Sequence, residues 1–160
     1  GDLQRVRDLI EAGADVGQSI AEGEMAGETA LHLALEAKAA DVARVLIEHG
    51  ADVDQIVQGW PLEHWAAARD ASTVLEVLLD HGGDIERKRP DDRQATPLMT
   101  AARYGATKSI RLLLKRGANT SATDDHGKYP RDWALFFGQD AALKLLKDYP
   151  GVCTDRAACD

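Results

Sequence analysis

The residues with most chemistry to offer are five histidines, two cysteines and three tryptophans. His126 follows Asp124 and Asp125, the kind of turn that can begin a metal site. It lacks the second nitrogen or sulfur ligand that such a site requires. Ser72 and Ser109 have no base at a spacing that would activate a hydroxyl. The glycines are spread along the chain and do not gather into a phosphate-cradling loop. Cys153 and Cys159 stand in the C-terminal tail. As a disulfide they would staple only that tail, and as metal ligands they are two short. Reduced, incidental thiols are expected, which fits a cytoplasmic or nuclear protein. Catalysis, a cofactor and a metal are therefore not expected. What remains is an aromatic pair, Trp60 and Trp65, one and six positions after Gly59. The faces of such rings attract cations when a carboxylate lies near.

The elements that position these residues are written as a repeat. Residues 108–134, KSIRLLLKRGANTSATDDHGKYPRDWA, read as a helix end, an extended turn and a helix start. Ile110 to Leu114 carry apolar residues on one side at helical spacing. Gly117 sits where a helix closes in the left-handed region, and Pro130 at a first helical turn. Four segments share one skeleton: GETALHLA (27–34), GWPLEHWA (59–66), QATPLMTA (94–101) and GKYPRDWA (127–134). Their closing alanines are 32, 35 and 33 residues apart, and Gly50, Gly82 and Gly117 each follow 16 residues after an alanine. The leucine-type pairs Leu46–Ile47, Leu78–Leu79 and Leu113–Leu114 fall in matching slots. A period near 33 with this content predicts stacked helix–turn–helix units.

These motifs resemble the ankyrin-repeat family over almost the whole chain. The family's G-x-T-P-L-H-x-A stands best as GETALHLA, and EHGADV, DHGGDI and KRGANT resemble its helix-two endings. The resemblance implies an all-α solenoid of four repeats plus an N-terminal half-repeat, with hairpin-type loops between units. The expected domain is 1–150, with a half-repeat at 1–16 and repeats near 27–53, 59–85, 94–120 and 127–150. Residues 151–160 are expected to form a polar tail. Thr29 and Thr96 are placed to cap first helices through their hydroxyls. The alanines allow close helix approach, and no single unit closes its own core, so stability must come from stacking. His32 and His64 fill the motif histidine, which in the family ties neighbouring turns together. His49 and His81 fall at helix-two ends, where partial positive charge is favourable.

The family binds other proteins on a concave surface lined by hairpin tips and first helices. Position by position, the variable inner slots are Glu28 and Glu36, then Trp60 and Arg69, then Ala95, Arg103 and Tyr104. The fourth repeat adds Asp125, His126, Lys128, Phe136 and Phe137. Aromatic and arginine side chains are the types that anchor interfaces. The pattern G-W-x-x-x-x-W-A also resembles the ankyrin repeats of histone lysine methyltransferases, which hold methylated lysine in an aromatic cage. Trp60 and Trp65 match two cage positions. The cage acid falls on Ala68 and its third tryptophan on Thr100, which do not match; Glu28, Glu36 and Tyr104 are the possible substitutes. Three functions follow: a protein-binding scaffold, a reader of methylated lysine, or a regulatory or targeting domain of a larger enzyme.

Charge and departures from the pattern refine this. The formal net charge of −8 is uneven: residues 1–58 hold 12 acids against 4 bases, residues 94–150 hold 5 against 9. An acidic N-terminal half disfavours nucleic acid and suits a basic protein or peptide partner. Lys108, Arg111, Lys115 and Arg116 read as the solvated outer face. No apolar run of membrane-spanning length exists. DLQRVRDLIEA (2–12) matches a second helix without its first, so the chain is expected to be part of a longer protein or to have its missing residues disordered; a monomer is expected. The tip 21–26 is acidic and expected to be flexible. In repeat two, Pro61 takes the threonine slot and Glu63 the buried leucine slot. Either the register shifts to present Trp60-Pro61-Leu62 or a specific partner holds Glu63; unpaired burial of a carboxylate costs several kcal/mol, so the shift is expected. Repeat three carries a charged two-residue insertion within residues 86–93. Repeat four has Tyr129, Arg131 and Asp132 in the motif slots, as a polar end cap would.

Overall fold

A computed structural model describes residues 3–21, 27–90 and 92–151. The acidic tip at 22–26 and both cysteines lie outside the described residues. The described residues form two layers of short helices. The first layer holds α2 (Ala30–Glu36), α4 (Leu62–Ala68), α6 (Pro97–Arg103) and α8 (Pro130–Phe136). The second holds α1 (Leu3–Glu11), α3 (Ala40–Glu48), α5 (Ser72–Asp80), α7 (Thr107–Lys115) and α9 (Asp140–Leu146). From α2 onward the helices pack in sequential pairs, and within each layer neighbouring helices pack on one another. This is an all-α solenoid.

The apolar slots explain the packing. Ala66, Ala101 and Ala134 are fully buried in the first layer, and Leu46, Leu78 and Leu113 in the second. Small residues bring the first helices close, while the leucines fill the space between layers. Thr29 Oγ1 accepts the His32 N–H at 3.3 Å, and Thr96 Oγ1 accepts the Met99 N–H at 3.4 Å. Gly117 has φ 83°, and an added Cβ would meet nothing within 4 Å. Backbone conformation alone therefore demands glycine there.

Between units the chain turns back on itself. β1 (Ile56–Val57) pairs antiparallel with β2 (Trp60–Pro61), with Val57 opposite Trp60. Single bridges join Ser19 to Thr29 and Arg89 to Ala95 in the hairpins on either side.

Repeat two keeps its register, contrary to the sequence expectation. Pro61 is the N-cap of α4, as Thr29 is of α2, so Glu63 stays in the leucine slot and is fully buried. A partner holds it: Glu63 Oε1 accepts the Asp84 N–H at 3.0 Å, with Arg87 Nη1 at 4.0 Å. Burial raises the pKa of this carboxylate above 4.5, against the bond from its own backbone and the pull of Arg87. Repeat four is also less of a polar cap than its letters suggest. Asp132 is buried and accepts the Tyr129 N–H at 2.9 Å, so its polarity serves the helix start.

Candidate functional site: an aromatic and arginine row on the first-helix face

Side-chain contacts cross every repeat boundary on the face formed by the hairpins and first helices. Between repeats one and two, Arg69 Nε donates to Glu36 Oε1 at 3.0 Å, with its guanidinium 5.3 Å from the Trp65 ring. Between repeats two and three, Trp60 and Tyr104 lie 6.2 Å apart. Between repeats three and four, the Arg103 guanidinium sits 4.7 Å from the Phe137 ring. Within repeat two, Trp60 and Trp65 are 5.1 Å apart and tilted by 38°. Trp65 is oriented by Nε1, which donates to the Val57 carbonyl at 3.0 Å.

Arg89 is the residue the sequence reading missed. Its guanidinium carbon lies 3.5 Å from the centre of the Trp60 ring, and its side chain is buried. Arg89 Nη1 pairs with Asp92 Oδ2 at 3.2 Å, and Arg103 Nη1 donates to both oxygens of the same carboxylate at 3.2 and 3.1 Å. Asp92 therefore clamps two arginines that each lie over an aromatic ring. The bridge of Arg89 to Ala95 turns the inserted hairpin back over repeat two.

The first-helix face changes character along the stack. At its start Glu28 and Glu36 flank His32, 3.6 and 3.9 Å from its ring nitrogens, and Gln58 Nε2 donates to Glu28 at 3.2 Å. At its end, Arg93, Arg103 and Lys128 surround a cleft of about 230 Å³ with Trp133, Phe136 and Phe137. Trp133 Nε1 donates to Asp124 Oδ2 at 3.1 Å, which fixes the floor. Trp133, which is not among the expected contact positions, stands in the slot of Trp65, the signal in the sequence that points to it.

The remaining expected positions divide. Arg69 and Tyr104 are exposed, and Phe136 and Lys128 line the cleft. His126 is exposed, with its ring 3.6 Å from Asp125, and joins none of the ring contacts. Ala95 is fully buried and cannot line a surface, because its bridge to Arg89 draws it inward.

The two motif histidines also differ. His64 Nε2 donates to the Arg87 carbonyl at 2.6 Å and Nδ1 lies 2.7 Å from Thr100 Oγ1, tying the next turn as expected. His32 is equally buried, but neither ring nitrogen makes a hydrogen bond. Each of His49 and His81 donates Nδ1–H to the carbonyl four residues back, at 2.8 Å.

The accessible part of the arrangement offers rings, guanidinium groups and carboxylates, while the His64–Thr100 pair is buried. Among the described residues no group of three or more histidine, cysteine, aspartate or glutamate residues is placed to hold a metal. No described helix is long and apolar enough to cross a membrane.

Stacked helix pairs with hairpins and a contact row on one face define a repeat protein of the solenoid class. Residues 1–89 match the family described as "Ankyrin repeats (3 copies)", and residues 78–134 the one described as "Ankyrin repeats (many copies)". The chain belongs to the ankyrin-repeat family, whose repeats generally serve as interaction modules. It is similar to human neurogenic locus notch homolog protein 2, 35% identical over 145 residues. It is also similar to neurogenic locus notch homolog protein 1 of Xenopus laevis, 34% identical over 151 residues. Both matches cover 89% of this chain and only 6% of the relative's length.

Proposed function

We propose that this chain is a non-catalytic protein-binding module whose partner, a protein or peptide, lies along the first-helix face. The observation that carries this reading is the continuous row from Arg69 through Trp65, Trp60 and Tyr104 to Arg103 and Phe137, which spans repeats two to four. Aromatic and arginine side chains are the types that supply most interface energy. The acidic start of the row, Glu28 and Glu36, suits a basic stretch of the partner. A cytoplasmic or nuclear monomer acting as one part of a longer protein goes with this reading, and no nucleic acid is expected to bind.

A display library of random peptides, selected on the immobilised chain, tests it. Enriched peptides should lose binding to Tyr104→Ala and keep it with Arg111→Ala on an outer helix. Peptides indifferent to Tyr104, or no enrichment at all, would overturn the reading.

A reader of methylated lysine is the second reading, favoured by the approach of Trp60, Trp65 and Tyr104. Arg89 weighs against it, because its guanidinium already covers a Trp60 face and is held there by Asp92. Titration with paired unmodified and dimethylated lysine peptides separates the readings: a module without a cage responds equally to both.

A further inference from the structure

The cleft between α6 and α8 is smaller than the roughly 300–1,000 Å³ of small-molecule sites. Its 230 Å³ has room for about one side chain. Three aromatic residues form its floor, and Arg93, Arg103 and Lys128 stand at its rim. Its two acids are both engaged within the chain: Asp92 by Arg89 and Arg103, and Asp132 by the Tyr129 N–H. Arg103 uses only Nη1 on Asp92, which leaves Nε and Nη2 without a hydrogen bond to the described residues. Arg93 is exposed, and its side chain pairs with no acid among the described residues. Its backbone is held at φ 54°, next to Gln94 at φ 56°. Consecutive non-glycine residues in this region are strained, and such strain persists only where the surroundings enforce it. Here the Arg93 carbonyl accepts the Asp125 N–H at 3.0 Å, which locks the turn that carries the arginine to the cleft.

An apolar floor and cationic rim call for one ligand that brings both kinds of group. The Arg103 guanidinium lies 4.7 Å from the Phe137 ring, so apolar group and anion must be close neighbours. In an extended chain, an acidic residue next to an apolar one points to the opposite side. A C-terminal residue carries its side chain and its carboxylate on a single Cα. We propose that this cleft anchors the C-terminal aromatic or large apolar residue of a partner, with the terminal carboxylate on Arg93 and Arg103. The proposal rests on the protein-binding reading and names the end of the partner that enters first. Capture of a free C-terminal carboxylate is a recurring recognition mode, assigned here to side-chain cations in place of a backbone nest.

N-acetyl-phenylalanine is the probe and its uncharged amide the control, with binding followed by NMR shifts of the whole chain. The acid should saturate with an affinity on the order of 1 mM, with shifts centred on Trp133, Phe136 and Phe137. Arg93→Gly keeps the left-handed backbone and removes the cation. It should weaken the acid about tenfold, the scale of one charge-assisted bond, while Arg93→Lys should retain most of the binding. Equal binding of acid and amide, shifts elsewhere, or no saturation would overturn the proposal. If peptides selected on the chain depend on Tyr104 yet are indifferent to a free C-terminus, the pocket assignment falls and the module stands. If the acid binds here while selection yields nothing, the module reading falls instead.

Discussion

Glu63 and Gly83 compete for one volume. A Cβ on Gly83 would lie 3.1 Å from Glu63 Oε1 and 2.9 Å from the Leu78 carbonyl oxygen. In repeats one and three the same two slots hold Leu31 with Ala51 and Leu98 with Ala118. The one unit with a carboxylate in the leucine slot is thus the one whose GA has become GG.

Gly83→Ala should therefore destabilise the chain by about 1–3 kcal/mol, the usual cost of overpacking. Much of that loss should disappear in a Glu63→Leu background, which restores the pairing of the other repeats. Urea unfolding of the four proteins measures the coupling. Strictly additive losses would show that the two residues do not share the space.

The same carboxylate sets a pH dependence. Burial raises the Glu63 pKa above 4.5, so the fold favours the protonated acid. The stability this contributes is full below the unfolded value and is lost as pH rises through the folded one. Glu63→Gln should thus exceed the parent in melting temperature at pH 8, with the difference shrinking as the pH falls toward 4.5. A gain by the parent over the variant with rising pH would mean that Arg87 and the Asp84 N–H outweigh desolvation.

Arg89 should behave as a core residue in spite of its charge. Arg89→Ala removes a stacked guanidinium and leaves Asp92 with one partner, an expected loss of about 3–5 kcal/mol. Arg89→Lys should not rescue it, since an ammonium does not stack as a plane on the Trp60 ring. A variant within about 0.5 kcal/mol of the parent by chemical denaturation would show the stack to be incidental, as surface substitutions are.

The two motif histidines predict opposite outcomes. His64→Leu breaks two buried hydrogen bonds and leaves Thr100 and the Arg87 carbonyl without that partner, an expected loss of about 2–5 kcal/mol. His32→Leu removes nitrogens that bond nothing and should stay within about 1 kcal/mol of the parent. Equal losses in thermal unfolding would contradict the distinction.

Much of this architecture was legible because it is local and periodic. The threonine caps, closing glycines and buried alanines recur at one spacing, and each does the same physical work in its unit. The exceptions come from contacts between distant residues. Glu63 looked too costly to bury because its partner, the Asp84 N–H, lies 21 residues on. Arg89 sits in a charged insertion that reads as solvent-exposed, yet the hairpin folds it onto Trp60, 29 positions earlier. His32 and His64 share a motif slot, but the ring of His64 meets Thr100 and the Arg87 carbonyl, whereas that of His32 meets the Trp65 ring.

The most direct test of the central claim is a map of the bound surface. A peptide selected on the chain would be titrated into labelled protein, and side-chain shifts followed on both helix layers. Binding along the first-helix face predicts that Trp60, Trp65, Tyr104 and Phe137 move while Lys108, Arg111 and Lys115 of α7 stay still. Shifts concentrated on α3, α5 and α7, with the aromatic row unmoved, would contradict the account.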